Sequence, residues 1–170
     1  MKILYITILL YNQMCHRMNE ISKISGDSFQ VSIMALETMS KSKCINIETL
    51  YIYDPEQVAV SPHVINDNII SREESYRKEL LHLKKFKKLK HLYFLNIHMT
   101  DIPEEILCLN KLEELQFNFL NHFIPEKQIS KLIKLKNLKI LIINGDFIGE
   151  ENFDVIKNRL SKMKIEVSRS

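Results

Sequence analysis

Cys15 is followed directly by His16, and a thiol beside an imidazole is the raw material of a nucleophile and base pair. Neighbouring residues point in different directions on a helix or a strand, so adjacency alone does not bring the two groups together. The histidines His16, His63, His82, His91, His98 and His122 lack the i, i+4 spacing that aims two imidazoles at one metal ion. The segment NGDFIGEENFDV, residues 144–155, offers Asn144, Asp146 and Gly149 in the manner of a calcium loop. Ile148 stands where an oxygen ligand is required and Val155 where the bidentate glutamate belongs, so the loop fails. GxxxxGK, GxGxxG, GxSxG and HExxH are all absent, and three glycines leave little room for a phosphate cradle. The chain is expected to be no enzyme, to hold no metal and to need no cofactor.

Cys15, Cys44 and Cys108 are odd in number and form no CxxC pair, which argues against a disulfide framework and for a reducing, cytoplasmic compartment. Cys108, next to the periodic Leu109, reads as a half-buried packing residue. The N-terminus, with Lys2 ahead of the apolar run Ile3 to Tyr11, has the outline of a short export signal but no small-residue cleavage site. That leaves an exported surface protein as the alternative. The run is far shorter than the ~20 residues of a membrane span, so no transmembrane segment is expected.

A second group with chemical potential is RKELLHLKKFKKLK, residues 77–90, whose local charge is +6 in a chain of net +3. Such a cluster could meet nucleic acid or an anionic membrane surface. Leu80, Leu83, Phe86 and Leu89 recur through it at core spacing, which puts the lysines on a solvated outer face. No aromatic residue besides Phe86 interleaves them for base stacking, and nucleic-acid or membrane-surface contact is the weaker expectation.

The elements that must position any site are set by a repeat. With 170 residues, 45% hydrophobic and 26% charged, the chain suits one folded domain. Abundant lysine, isoleucine and asparagine hint at an AT-rich, bacterial source. Leu89, Leu92 and Phe94 form an LxxLxL strand signature that recurs at Leu112, Leu115 and Phe117 after 23 residues and at Leu138, Leu141 and Ile143 after 26. A further 22 residues on, Leu160, Met163 and Ile165 repeat it. Between strands the apolar positions take helical-turn spacing: Leu83 and Phe86 lead into Leu89, Ile106 and Leu109 into Leu112, Leu132 and Leu135 into Leu138. Ile47, Leu50 and Ile52 offer an earlier copy, 42 residues before Leu89. A unit of this kind cannot bury its own apolar edge, so successive copies must stack, with Leu92, Leu115, Leu141 and Met163 above one another.

These residues resemble the leucine-rich repeat family, over residues 83–167 well and 47–82 poorly. The chain departs from the family where asparagine or cysteine is usual after the strand, since Ile97, Leu120 and Asp146 stand there. The resemblance implies an α/β solenoid, a short irregular arc with parallel strands on its concave face. Residues 1–46 would be an N-terminal α/β capping segment, 47–82 a degenerate repeat or insertion, and 83–167 the repeats. In the cap, ILYITILL reads as a strand whose Ile6 and Ile8 cover the open end of the stack, MCHRMNEISKI as a helix, and FQVSIMALETM as a strand or helix.

Strand alternation then names the concave surface: Thr49, Tyr51 and Tyr53; His91, Tyr93 and Leu95; Glu114, Gln116 and Asn118; Ile140, Ile142 and Asn144; Lys162, Lys164 and Glu166. Tyrosine anchors protein interfaces, and clustered exposed aliphatics on a monomer call for a partner. Tyr51, Tyr53, His91, Tyr93, Glu114, Gln116, Ile140 and Ile142 are therefore the expected contacts to a protein partner. Tyrosine, threonine and isoleucine are also good strand formers, so a neutral surface would carry them too. The resemblance further implies a non-enzymatic adaptor, or an immunity-type inhibitor that occludes its partner.

Overall fold

The computed structural model describes residues 21–55, 67–119, 125–144 and 150–169. They form an α/β fold around a seven-stranded sheet: β1 (Ile21–Ser25), β2 (Ser28–Ser32), β3 (Thr49–Tyr53), β4 (His91–Met99), β5 (Glu114–Phe119), β6 (Ile140–Asn144) and β7 (Glu166–Arg169). Strand order in the sheet follows sequence order. β1 and β2 are an antiparallel hairpin, and every later neighbour is parallel. The helices are α1 (Lys41–Cys44), α2 (Asp67–Leu80), α3 (Pro125–Leu132) and α4 (Glu150–Ser161), joined by 3₁₀ turns at Ile33–Ala35, Leu81–Lys85 and Glu104–Cys108.

The repeat spacing becomes a register. Leu50 pairs with Leu92, Leu92 with Leu115 and Leu115 with Leu141, and all four are fully buried. Phe94 and Phe117 lie behind them, edge to face at 5.4 Å. Backbone hydrogen bonds recur with the same phase. Phe86, Leu109 and Leu135 each donate N–H to the carbonyl three residues earlier, on Leu83, Ile106 and Leu132. At the start of each parallel strand one carbonyl accepts two N–H groups from the next unit: Asp27 from Glu48 and Thr49, Glu48 from Lys90 and His91, Lys90 from Glu113 and Glu114, Glu113 from Lys139 and Ile140. These bonds, between 2.7 and 3.2 Å, satisfy backbone groups that the return turns would otherwise leave unpaired.

Expectations change at both ends of the sheet. Met163 is not a rung of the stack: it is 43% exposed, and Val167 pairs with Leu141 in its place. The reason is the end of α4, where Ile165 N–H bonds to Leu160 O and Lys164 N–H to Ser161 O, with Lys164 at φ 63°. This Schellman cap consumes residues 162–165 and starts the strand at Glu166, so Lys162 and Lys164 leave the strand surface. Ile21–Ser25, assigned in part to a helix, is a strand closed onto β2 by a two-residue turn with Gly26 at φ 50°. FQVSIMALETM is a strand to Ser32, then a 3₁₀ turn, and β2 pairs in parallel register with β3 inside the stretch assigned to the cap. Among its described residues the long gap between Ile52 and Leu89 holds no strand, and β3 pairs directly with β4. It contains α2 instead. The strand expected around Ile6 and Ile8, the pair Cys15 and His16, and the residues Leu120 and Asp146 lie outside the described residues.

Residues from α2 fix that insertion to the strand ends. Tyr76 donates its hydroxyl to Asp54 at 2.5 Å and Arg72 pairs with the same carboxylate at 2.9 Å, just beyond β3. Glu73 accepts from the backbone N–H and the hydroxyl of Thr100, just beyond β4. Arg77 pairs with Glu73 and Asp101. Asp101 also takes Lys127 at 3.2 Å and the buried Lys131 at 3.1 Å, both from α3. Gln128 of α3 accepts the Ile102 N–H at 2.8 Å. The 100–105 segment is thus clamped between α2 and α3.

Candidate functional site

Side chains on the sheet face away from the core form rows set by backbone register. The first runs Ser28, Thr49, His91, Glu114, Ile140, Glu166, and the second Gln30, Tyr51, Tyr93, Gln116, Ile142, Ser168. Seven of the eight expected contact residues therefore adjoin one another: Tyr51, His91, Tyr93, Glu114, Gln116, Ile140 and Ile142, all half-buried. Tyr53 departs. It continues the same side of β3 but is 8% exposed, so it offers little surface. Asn118, also expected outside, is 1% exposed.

The reason for Asn118 lies in β4. Pairing with β5 is regular to Tyr93 and Gln116, then resumes only at His98 and Asn118. Asn96 sits between at φ 57°, a left-handed conformation that asparagine tolerates better than most residues. The bulge leaves the Phe94 carbonyl without its strand neighbour, and Asn118 Nδ2 donates to it at 3.0 Å. An asparagine thus serves the backbone between neighbouring strands here, two residues before Leu120.

Within the rows the groups are organised. Tyr51 and Tyr93 stack at 4.6 Å between ring centroids, inclined by 14°. Tyr93 donates its hydroxyl to Glu114 at 2.9 Å, and Thr49 Oγ1 lies 3.0 Å from His91 Nδ1. Burial raises the Tyr93 phenol well above the usual range, and the Glu114 carboxylate pushes it further the same way. Tyr93 is accordingly a neutral donor at any physiological pH. Burial lowers the His98 imidazole, which stays neutral as well. The arrangement presents a stacked aromatic pair with a carboxylate and an amide beside it and two isoleucines at one side. It can accept hydrogen bonds and bury apolar surface.

These rows extend onto Ser28 and Gln30, inside the stretch 1–46 that the sequence reading sets apart as a cap. The alternation of Phe29 and Val31, 21 residues before Leu50 and Ile52, was the available signal.

The basic segment is largely committed to internal bonds. Arg77 joins the Asp101 cluster, Lys88 reaches Asn46 at 3.1 Å and Lys90 pairs with Glu48 at 2.9 Å. Lys85 Nζ donates to the carbonyls of Leu36, Glu37 and Met39. Of the seven basic residues, Lys78, Lys84, Lys87 and Lys88 are exposed. Cys108 is exposed, not half-buried, because its 3₁₀ turn points Ile106 and Leu109 inward instead. Among the described residues no helix is long and apolar enough to cross a membrane.

No protein-family model matches this chain, and no curated protein aligns with it at significant similarity.

Proposed function

We propose that the chain is a short, irregular leucine-rich repeat module, non-enzymatic, that binds a protein partner on the concave face of its parallel strands. The single observation that carries this reading is the stacked Tyr51 and Tyr93 pair, half-buried and in register with Glu114, Gln116, Ile140 and Ile142. Tyrosine presents large apolar area with few rotatable bonds, and stacking removes part of that freedom before a partner arrives. The recurring carbonyl ladder and in-register leucines support the repeat assignment. An adaptor or an occluding inhibitor uses such a face in the same way. Contact with nucleic acid or an anionic membrane through residues 77–90 has less support, since Arg77, Lys85, Lys88 and Lys90 already hold internal partners.

Affinity capture from native lysate, wild type against the triple variant Tyr51→Ala, Tyr93→Ala, Ile142→Asp, tests the reading. A protein retained by the wild type and lost from the folded triple variant is expected. Equal recovery on both baits would remove the strand face from consideration.

A further inference from the structure

We propose that Glu37, Glu79 and His82 form a binding site for a divalent transition-metal ion of the zinc type. One ligand atom from each lies within 4.8 Å of the others. Glu79 lies in the last turn of α2 and His82 in the 3₁₀ turn that follows, so the two share a face by i, i+3 spacing. Glu37 comes from the segment after β2, far away in sequence. Its approach is set in advance by Lys85, whose ammonium donates to the carbonyls of Leu36 at 3.3 Å, Glu37 at 2.8 Å and Met39 at 3.2 Å. An ammonium has three protons, and three carbonyls use them, so Lys85 has none left for a carboxylate.

A second observation is independent of that proximity. Glu79 Oε2 is shielded from solvent and receives no hydrogen bond. A carboxylate oxygen so placed is costly unless a proton or a cation reaches it. The neighbouring imidazole and second carboxylate supply what a cation needs. Two oxygens and one nitrogen suit zinc and its neighbours, whereas magnesium and calcium favour oxygen-only shells. Ligand atoms about a tetrahedral zinc stand roughly 3.3 Å apart, so the trio must tighten, and the exposed Glu37 side chain is free to move inward. Water would complete the fourth position. The bound ion would staple the segment after β2 to the α2 insertion.

The test is titration of metal-stripped, full-length protein with Zn²⁺ against a chromophoric chelator, beside thermal unfolding with and without Zn²⁺. One saturable ion per chain and a raised Tm are expected, with affinity falling roughly tenfold or more in each of Glu37→Gln, Glu79→Gln and His82→Gln. Glu37 is exposed, so its variant should fold even if Glu79→Gln does not. Absence of saturable uptake by the wild type would overturn the site, as would undiminished uptake by folded Glu37→Gln and His82→Gln. Magnesium binding as tightly as zinc would overturn the assigned class of ion.

Discussion

Asp101 draws two helices together through one carboxyl group. Burial opposes its ionisation, but hydrogen bonds from Lys131, Arg77 and Lys127 outweigh burial and hold the carboxyl below the usual carboxylate range. The sign follows from linkage: a depressed folded value stabilises fully above the unfolded value, about 3.9, and that stabilisation is lost as pH falls through the folded value. Asp101→Asn should therefore cost about 3 kcal/mol near neutrality, because Lys131 is left buried with less compensation. Urea unfolding at neutral pH and below pH ~3 checks this, since the difference between variant and wild type should shrink in acid. Lys164 makes the opposite case. It occupies a left-handed position where glycine is the usual residue, a conformation costing an L side chain roughly 1 kcal/mol. Lys164→Gly should raise stability by about 0.5–1 kcal/mol in the same assay, the gain being reduced by the freer unfolded chain.

At the scale of elements, each parallel strand contributes alternate residues to one core and the return turns close the same core from the other side. Leu115 lies in a strand flanked on both sides and is fully buried. Its truncation to alanine should cost about 3 kcal/mol, the transfer term plus the cavity left between Leu92 and Leu141. Met163→Ala should cost under about 0.5 kcal/mol, since the side chain is exposed after the cap of α4. Denaturant midpoints for the two variants measured together separate this register from one with Met163 inside; comparable losses would contradict the strand boundary at Glu166. The α2 insertion belongs to this scale too. Its Arg72, Glu73, Tyr76 and Arg77 bind the segments just beyond β3 and β4. The lengthened β4 and its bulge at Asn96 bring Thr100 within reach of Glu73.

Across the whole molecule, one side of the sheet is core and the other carries the aromatic and aliphatic rows. The proposed complex would be built on stacked tyrosines and isoleucines, so its affinity should change little when ionic strength rises from about 0.1 M to about 1 M, where the Debye length falls from about 10 Å to about 3 Å. Binding through Lys78, Lys84 and Lys87 would weaken steeply over that range. Measuring the dissociation constant of the captured partner across the salt series distinguishes the two, and a steep decline would shift the interface to residues 77–90.

The leucine spacing by itself determined the strands that carry Leu50, Leu92, Leu115 and Leu141 and the pairing of those four, because a side-chain period of two in the strand and near three in the turn leaves one arrangement that buries the recurring leucines together. It also placed Tyr51, His91, Tyr93, Glu114, Gln116, Ile140 and Ile142 on a shared surface. Only the tertiary structure decided the exceptions. Tyr53 is buried, Asn118 is turned to the Phe94 carbonyl of the neighbouring strand, Met163 is displaced by a helix cap, and Lys85 and Arg77 turn inward to carbonyls and carboxylates distant in sequence. The meeting of Glu37 with Glu79 and His82 has the same origin, since periodicity reports which face a residue shares within its own unit and carries no record of which polar groups another unit brings to it.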